Sequence, residues 1–276
     1  MHTIKGDNLN QIVYRSIEKI KQEGFRTPSR NGDVTALYDV EMFLTNPKSR
    51  HLNLSGRTNN IFATLAEVIW VMAGEEKINP YLSFFIPRAP LYSDDETTWR
   101  AAYGERLYAH GQLQNIIDVF KEEGIFTRRA VLTLLMPDRD TKESLKEKYG
   151  LDGTKDTPCN NWFNFFVTPD KKLNLKVTQR SGDIIFGTGN INFPEFTFLQ
   201  EFVLQMLQEE VDSELTLGYY HHSVTNLHLY DFNGKKQSTA ILNNEQVLTR
   251  QNYDGILFPK NIERSKEMFS RIIKSI

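Results

Sequence analysis

The spacing of apolar residues predicts five helices along the chain. Ile12, Val13, Ile17 and Ile20 recur at helical spacing and predict an amphipathic helix near the start. Residues 61–72 form a nearly all-apolar run that is too long for one strand, so they predict a buried helix. The remaining helices are predicted at about residues 113–120, 196–207 and 262–273.

Short apolar or alternating segments predict strands, and two of them form a hairpin around a turn at residues 168–171. The predicted strands are residues 34–44, 130–136, 162–167, 173–177, 215–219 and 224–230. Helices and strands follow one another without a regular strand–helix–strand repeat. This order predicts an α+β fold with a mainly antiparallel or mixed sheet.

Composition restricts the functional class. The chain has 276 residues and no linker-like tract, which favours a single domain spanning residues 1–276. A net charge of -2 gives no reason to expect nucleic-acid or membrane binding, so an anionic ligand would need a local cluster of arginines. One cysteine excludes an internal disulfide, and neither a signal peptide nor a membrane-spanning run is present. We therefore expect a cytoplasmic protein.

Cys159 is the first candidate for chemistry. A lone cysteine is more often a small buried core residue, but this one follows Pro158 at the entry to a strand. A thiol at such a position becomes a nucleophile where cations lower its pKa. Arg180 ends the strand that pairs with the cysteine's own strand, so the hairpin should bring this arginine close to Cys159.

Other arginines are weaker candidates when taken alone. Arg128 and Arg129 precede a predicted strand, where adjacent side chains point to opposite faces. Arg30 and Arg57 lie in polar segments. Each of them could equally be a solvated surface residue, and together they matter only if they converge on a phosphate.

Glu67 lies in the middle of the apolar helix, flanked by Ala66 and Val68. A glutamate in such a run needs a partner, so it is either half of a buried ion pair or a general acid or base in a closed site. Histidines at 221, 222 and 228 form no recognisable ligand motif with a carboxylate or cysteine, so no metal site is expected.

A glycine-rich segment, Gly187-Thr188-Gly189-Asn190-Ile191-Asn192, follows an apolar strand. It predicts a tight turn into a helix, and its asparagines could read the edge of a base. It lacks the features of a phosphate-binding loop or a dinucleotide fingerprint.

In their order and in their residue sequence, these segments resemble the thymidylate synthase superfamily from about Arg30 to Asp231. The most specific matches are Pro158-Cys159, the run Gln179-Arg180-Ser181-Gly182-Asp183 that leads to Gly187, and Leu227-His228-Leu229-Tyr230. The resemblance implies an α+β fold with a large twisted mixed sheet packed against helices. It also implies a homodimer that packs through one sheet face.

The resemblance also implies an activity and a role for each matching residue. Cys159 would attack C6 of a pyrimidine nucleotide, and 5,10-methylenetetrahydrofolate would donate one carbon to C5. Glu67 and Tyr103 would serve proton transfer around the base, and the surrounding arginines would lower the pKa of the thiol. The implied nucleotide-binding residues are Arg30, Arg180 and Ser181 at the phosphate, Arg128 and Arg129 from the other subunit, Asp183 and Asn192 at the base, and His228 and Tyr230 at the sugar.

Several positions depart from the synthases of this family. Asn160 stands where a histidine usually follows the cysteine, and Asn164 stands in place of a glutamine. The folate-side segment 89–94 has no clear Trp-Asp pair, and about residues 232–276 form a divergent C-terminal part without the usual closing tail. Hydride transfer needs a tightly closed site, so these changes favour water addition and a hydroxymethyl product.

The asparagine after the glycine turn decides the base in this family, because Asn pairs with uracil and Asp favours cytosine. Asn192 is our candidate, with Asn190 as the alternative, since the loop is one residue longer than usual. We therefore expect hydroxymethylation of a uracil nucleotide, with cytosine as the second choice. The alternatives are a thymidylate synthase and, in another class, a non-catalytic nucleotide- or RNA-binding protein on the same fold.

Overall fold

The computed structural model of the chain describes residues 1–58, 60–249 and 261–275. Within them the α-helices are α1 (Leu9–Glu23), α2 (Ile61–Met72), α3 (Tyr81–Phe85), α4 (Tyr103–Tyr108), α5 (Gln112–Glu123), α6 (Pro137–Asp140), α7 (Lys142–Tyr149), α8 (Phe193–Glu210), α9 (Asn233–Asn243) and α10 (Ile262–Lys274). The strands are β1 (His2–Gly6), β2 (Phe25–Thr27), β3 (Val34–Leu44), β4 (Val131–Thr133), β5 (Asn160–Val167), β6 (Lys172–Gln179), β7 (Gly182–Asp183) and β8 (Thr216–Tyr230).

All eight of these strands belong to one mixed sheet, with the order β1-β3-β8-β6-β5-β4. Short β2 pairs with β3, and β7 pairs with β8. The β3–β8 and β5–β6 pairs are antiparallel, whereas β6 and β8 run parallel. A parallel pair needs a crossover connection, and α8 provides it by packing on β6 and β8. The predicted α+β class with a mixed sheet is confirmed.

Local sequence explains where helices α1 and α2 begin. The Asn8 side chain accepts a hydrogen bond from the Gln11 N–H at 2.9 Å and caps α1. Asn60 caps α2 in the same way through the Ala63 N–H at 3.2 Å. Gly104 allows α4 to approach the end of α2 closely, because a Cβ there would lie 2.4 Å from the Val71 carbonyl oxygen.

The two faces of the sheet differ in burial. One face carries the fully buried residues of β3 and β8 and is covered by α1 and α8. The opposite face is only partly covered in the single chain. It carries half-buried Phe43, stacked on His221 with ring centroids 4.1 Å apart, and Trp162, which is 37% exposed.

Most predicted elements are present with nearly the predicted bounds. Strand β3, helix α2, the β5–β6 hairpin and the C-terminal helix α10 are confirmed. Helices α5 and α8 are also confirmed and extend a few residues beyond the predicted segments. In the described part of the chain, no helix is long and apolar enough to cross a membrane.

Three predicted strands differ in extent from the structure. The two strands predicted at 215–219 and 224–230 are one strand, β8, which begins at Thr216 and ends at Tyr230. The polar His221 and His222 between them fit inside the sheet because their rings reach Glu41 on one face and Gln179 on the other. The strand predicted at 130–136 is only Val131–Thr133, since the carbonyl of the next residue accepts from the Arg106 guanidinium instead of a strand.

Candidate active site

A cavity of about 1450 Å³ opens beside the start of β5. It is larger than the roughly 300–1,000 Å³ of most small-molecule sites, so it has room for more than one ligand of that size. Helices α2 and α4, the loop before β5, the segment from β6 to α8 and the end of β8 all contribute to its wall. Among the residues singled out from the sequence, the cavity is lined by Cys159, Glu67, Tyr103, Ser181, Asp183, Asn192 and Tyr230.

Cys159 stands at the entry to β5, as the sequence predicted, with Arg180 beside it. The Arg180 backbone N–H donates to the Cys159 carbonyl at 2.9 Å. The Arg180 guanidinium donates to the carbonyls of Pro158 at 3.0 Å and Thr157 at 3.1 Å. The hairpin therefore holds this arginine against the loop that carries the thiol.

Arg30 approaches the same loop from the other end. Its guanidinium donates to the carbonyls of Thr154 at 3.1 Å and Lys155 at 3.0 Å. The Arg30 side chain is exposed and lies just outside the cavity wall, like that of Arg180. The two arginines thus converge on the segment before Cys159.

The expected lowering of the thiol pKa was wrong for the single chain. Burial raises the pKa of Cys159, and this effect exceeds the opposing attraction of Arg180 and then of Arg30. Asp156, whose pKa is itself raised to about 6 by burial, also disfavours the thiolate. The chain alone therefore holds Cys159 as a thiol, and thiolate formation would need a further change in its surroundings.

Glu67 is half-buried on α2 and lines the cavity. Burial raises the pKa of Glu67 to about 7. A second carboxyl, that of Glu195, lies near it, and burial followed by the charge of Glu67 raises the pKa of Glu195 well above its usual value. Two carboxyl groups that avoid simultaneous ionisation hold an exchangeable proton, which is the chemistry expected of a proton-transfer site.

The glycine-rich segment forms a π-helical turn at Thr188–Asn192. The Asn192 N–H donates to the Gly187 carbonyl five residues earlier at 3.2 Å, and such turns are frequent at functional sites. The turn buries Asn192 in the cavity wall, 8% exposed, while Asn190 is half-buried and also lines the cavity.

The Asn192 side chain is held at both ends. Its Oδ1 accepts from Gln179 Nε2 at 3.0 Å, and its Nδ2 donates to Glu195 Oε2 at 3.1 Å. Gln179 Oε1 in turn accepts from the Thr188 hydroxyl at 2.9 Å and lies 2.9 Å from His222 Nε2. An amide placed in a cavity wall and fixed in this way is suited to reading hydrogen bonds on a base.

Asp183 is buried and anchors the start of the same turn. Its Oδ1 accepts from the backbone N–H groups of Ile185 at 2.7 Å and Phe186 at 2.8 Å. Burial raises the pKa of Asp183 to about 6, although those two bonds and the charge of Arg57 act in the opposite direction. Its Oδ2 has no hydrogen-bond partner among the described residues, so this oxygen can accept from a ligand.

Tyr103 lines the cavity and is in contact with buried Asn160. The Asn160 Nδ2 donates to the Tyr103 hydroxyl oxygen at 3.0 Å. Burial raises the pKa of Tyr103, so its hydroxyl keeps its proton and can donate it in a hydrogen bond to a ligand. Asn160, first noted as a departure from the usual histidine, thus positions a residue predicted to be catalytic.

The predicted sugar-binding residues lie at the end of β8 but differ in position. Tyr230 lines the cavity, whereas buried His228 lies behind it, with its ring packed edge-on against that of Tyr230 at 5.1 Å. Ser181 is half-buried and lines the cavity. Tyr230 and Ser181 therefore line the cavity as expected, whereas His228 does not line it and packs against the Tyr230 ring instead.

Arg128 and Arg129 are exposed and lie away from this cavity. Arg129 forms an ion pair with Glu123 at 2.9 Å, with 75% of the arginine side chain exposed. Neither arginine therefore contributes to the cavity of its own chain.

Sequence reasoning gave no role to Glu195, although a signal was present. Glu195 lies in Asn192-Phe193-Pro194-Glu195-Phe196, an apolar setting like the one that drew attention to Glu67. Gln179 was noted only as part of a motif, and its contact with Asn192 depends on how β6 and the π turn meet. That contact could not be read from local sequence.

The chain thus combines a mixed sheet and a crossover helix with one cavity that is lined by Cys159, Glu67 and Glu195. The sequence profile of the thymidylate synthase family matches residues 12–266, and the chain belongs to this family. Within it, the chain is 41% identical over 245 residues to the deoxyuridylate hydroxymethyltransferase of Delftia phage PhiW-14, covering 88% of this chain and 66% of that relative.

Two further relatives share the family. A deoxyuridylate hydroxymethyltransferase of Pseudomonas phage M6 is 33% identical over 235 residues, which cover 84% of this chain and 62% of that protein. The thymidylate synthase of Mycoplasma genitalium is 28% identical over 153 residues, covering 55% of this chain and 44% of that enzyme. The chain therefore spans less than two thirds of the length of these relatives.

Proposed function

We propose that this chain catalyses folate-dependent hydroxymethylation of C5 of deoxyuridine monophosphate, dUMP. The observation that carries the proposal is one cavity that is lined by Cys159, by the carboxyl pair Glu67 and Glu195, and by the fixed amide of Asn192. A nucleophile, a proton-transfer group and a base-reading amide are the three functions that this reaction requires.

The names of the relatives support the choice of product and base. The relatives from phages PhiW-14 and M6 are both named deoxyuridylate hydroxymethyltransferases. Asn192 supports uracil, because an asparagine at this position pairs with uracil in this family and an aspartate favours cytosine. The departures at Asn160 and in residues 89–94 support water, rather than hydride, as the group that completes the reaction.

Cys159 would add through its sulfur to C6 of the base, and the electrons of the C5=C6 double bond would move toward O4. C5 then becomes a carbon nucleophile. Because burial raises the pKa of Cys159, thiolate formation must be coupled to substrate binding. A phosphate that draws Arg30 and Arg180 toward the cavity would bring their charges and help to order the loop before the thiol.

Glu67 would exchange protons with water at the C4–C5 end of the base. Its pKa of about 7 lets it accept and return a proton near neutral pH. Tyr103, fixed by Asn160 at 3.0 Å, would position a water or the base during loss of the C5 proton. Over the whole reaction a hydroxymethyl group replaces the C5 hydrogen, and its hydroxyl comes from water.

The remaining part of the cavity fits the folate. It is lined by aromatic and apolar side chains that suit a planar pterin, namely Trp70, Phe85, Ile86, Tyr92 and Trp99. When bound, methylenetetrahydrofolate would supply one carbon at the oxidation level of formaldehyde and leave as tetrahydrofolate with the two displaced protons. These side chains would orient the ring over the base and exclude bulk water.

The nucleotide would be held by the polar side of the cavity. Arg30, Arg180 and Ser181 would hold the phosphate, and Asp183 would accept from the base or an ordered water through its free Oδ2. Tyr230 would contact the sugar hydroxyl, with His228 packed behind it.

A homodimer would complete the site, with Arg128 and Arg129 reaching the phosphate in the partner's cavity. The half-exposed sheet face with Phe43, His221 and Trp162 supports this arrangement, because a partly apolar sheet face is stabilised by a second copy. Residues 1–276 would then form one catalytic domain, and a reducing cytoplasm would keep Cys159 free. Of the divergent part at 232–276, residues 250–260 and 276 lie outside the described residues.

A thymidylate synthase is the second candidate, because the family match and the Mycoplasma genitalium relative both allow it. The two are separated by incubating the purified protein with methylenetetrahydrofolate and, in turn, dUMP, dCMP, UMP and CMP, and by mass spectrometry of the products. Hydroxymethyl-dUMP with tetrahydrofolate is expected. A methyl product with dihydrofolate would indicate a synthase, and absence of any product would contradict both.

A further inference from the structure

A chain of buried hydrogen bonds runs behind the Asn192 amide and ends at Glu195. Its members are Tyr220, His222, Gln179, Asn192 and Glu195, and we call it the amide relay. The Tyr220 hydroxyl contacts His222 Nδ1, and His222 Nε2 lies 2.9 Å from Gln179 Oε1. Gln179 Nε2 donates to Asn192 Oδ1 at 3.0 Å, and Asn192 Nδ2 donates to Glu195 Oε2 at 3.1 Å.

Each link of the relay has a direction. Gln179 presents its oxygen to His222, so His222 must donate from Nε2 and accept the Tyr220 hydroxyl at Nδ1. Burial lowers the pKa of His222 to about 3, which keeps the ring neutral with one donor and one acceptor. The Thr188 hydroxyl also donates to Gln179 Oε1, at 2.9 Å. These contacts hold the amide of Gln179 in one orientation.

Glu195 fixes the other end. An ionised carboxylate only accepts hydrogen bonds, and a protonated carboxyl keeps one acceptor oxygen, which can face the donor Asn192 Nδ2. Oε2 therefore remains an acceptor for Asn192 Nδ2 in either state. Rotating the Asn192 amide by half a turn would place two donors together at Gln179 in either state, and two acceptors together at Glu195 when Glu195 is ionised.

The two pyrimidine bases differ in what they present to such an amide. Uracil offers an N3–H donor beside the O4 acceptor, while cytosine offers an N3 acceptor beside an amino donor. Asn192 makes one hydrogen bond at each end with the described residues, so one amide hydrogen and one lone pair remain for a ligand. An amide that cannot rotate can therefore form both hydrogen bonds with one of these bases, whereas with the other base it would place donor against donor and acceptor against acceptor.

We infer that Glu195 and His222 are specificity-determining positioning residues, which lock Asn192 in the orientation that accepts a uracil nucleotide and rejects a cytosine nucleotide. The Nδ2 end of Asn192 points toward Glu195 and its neighbour Glu67, where the proposed function places the C4–C5 end of the base, so Nδ2 meets O4. This inference rests on the proposed function, since it assumes a pyrimidine nucleotide in the cavity.

The test compares the binding of dUMP and dCMP by calorimetry in the wild type and two variants. Glu195→Gln keeps the side-chain shape but can either donate to or accept from Asn192. His222→Phe keeps the ring stacked on Phe193, 5.2 Å away, and removes the donor to Gln179. We expect each variant to reduce the preference for dUMP over dCMP at least about tenfold, partly through tighter dCMP binding. The control is Glu210→Gln, which removes a carboxylate from the exposed end of the same helix.

The outcomes separate the inference from the proposed function. A wild type that binds dUMP, with variants that weaken both nucleotides equally, would overturn the amide relay as a determinant of specificity while the proposed function survives. Wild-type preference for dCMP would overturn the assigned orientation. Failure of the wild type to bind either nucleotide would contradict the proposed function itself, and the inference would fall with it.

Discussion

Replacing Glu67 by glutamine should stabilise the protein at alkaline pH and have little effect in acid. Burial raises the pKa of Glu67 from 4.5 to about 7, so the folded state holds its proton where the unfolded chain has lost it. Between these two values the native state binds more protons than the unfolded state, and the stability falls as the pH rises. Glutamine imitates the protonated carboxyl in shape and charge, and therefore avoids this loss.

The magnitude follows from the two pKa values. Each tenfold change in proton affinity corresponds to about 1.4 kcal/mol, so ionising Glu67 in the folded protein costs about 3 kcal/mol above pH 7. The same charge also opposes ionisation of Glu195, so the glutamine variant relieves both carboxyls. This cost is the stability that the fold gives up to hold a carboxylate in the cavity.

Urea unfolding at pH 5 and pH 8, at one fixed protein concentration, measures the effect. The stability gained by Glu67→Gln over the wild type should be roughly 2–3 kcal/mol larger at pH 8 than at pH 5. Glu147→Gln, at an exposed carboxylate on α7, serves as the control and should show no such difference. A gain that is equal at both pH values would refute the link between the burial of Glu67 and its pKa.

Three further predictions address activity and stability. The kcat/KM for dUMP should rise about tenfold per pH unit up to pH 7 and then level off, and Glu67→Gln should lower activity and remove that inflection. Arg180→Lys should weaken dUMP binding roughly 10–100-fold while leaving that of deoxyuridine unchanged, since only the nucleotide carries the phosphate; equal weakening of both would place Arg180 elsewhere. Glu201→Gln breaks the buried ion pair with Arg50, so the free energy of unfolding measured in urea should fall by about 3–5 kcal/mol. A decrease below about 1 kcal/mol would contradict a buried, desolvated ion pair.

The elements that carry the active site were predictable because their signals are local. The apolar run at 61–72 predicted α2 with the bounds that the structure has, and alternation on either side of a Pro-Asp turn predicted the β5–β6 hairpin. The hairpin in turn placed Arg180 beside Cys159. Histidines inside β8 misled the sequence interpretation, since their compatibility with a strand depends on partners contributed by β3 and β6.

The electrostatics of the site could not be predicted from residue types. Arginines near a cysteine suggested a lowered thiol pKa, but burial of Cys159 outweighs their charges in the single chain. Glu195 and Gln179 acquire their roles only when the π turn brings Asn192 between them. Burial and convergence across distant segments are properties of the folded chain, and neither has a signature in a local sequence window.

Covalent trapping tests the central claim, that Cys159 attacks C6 of a uracil nucleotide in this cavity. The protein is incubated with methylenetetrahydrofolate and 5-fluoro-dUMP, whose C5 fluorine cannot leave as a proton, and is then digested and analysed by mass spectrometry. The account predicts the nucleotide and the folate together on the peptide that contains Cys159, with no adduct in Cys159→Ser. An unmodified Cys159 in protein that binds 5-fluoro-dUMP would contradict it.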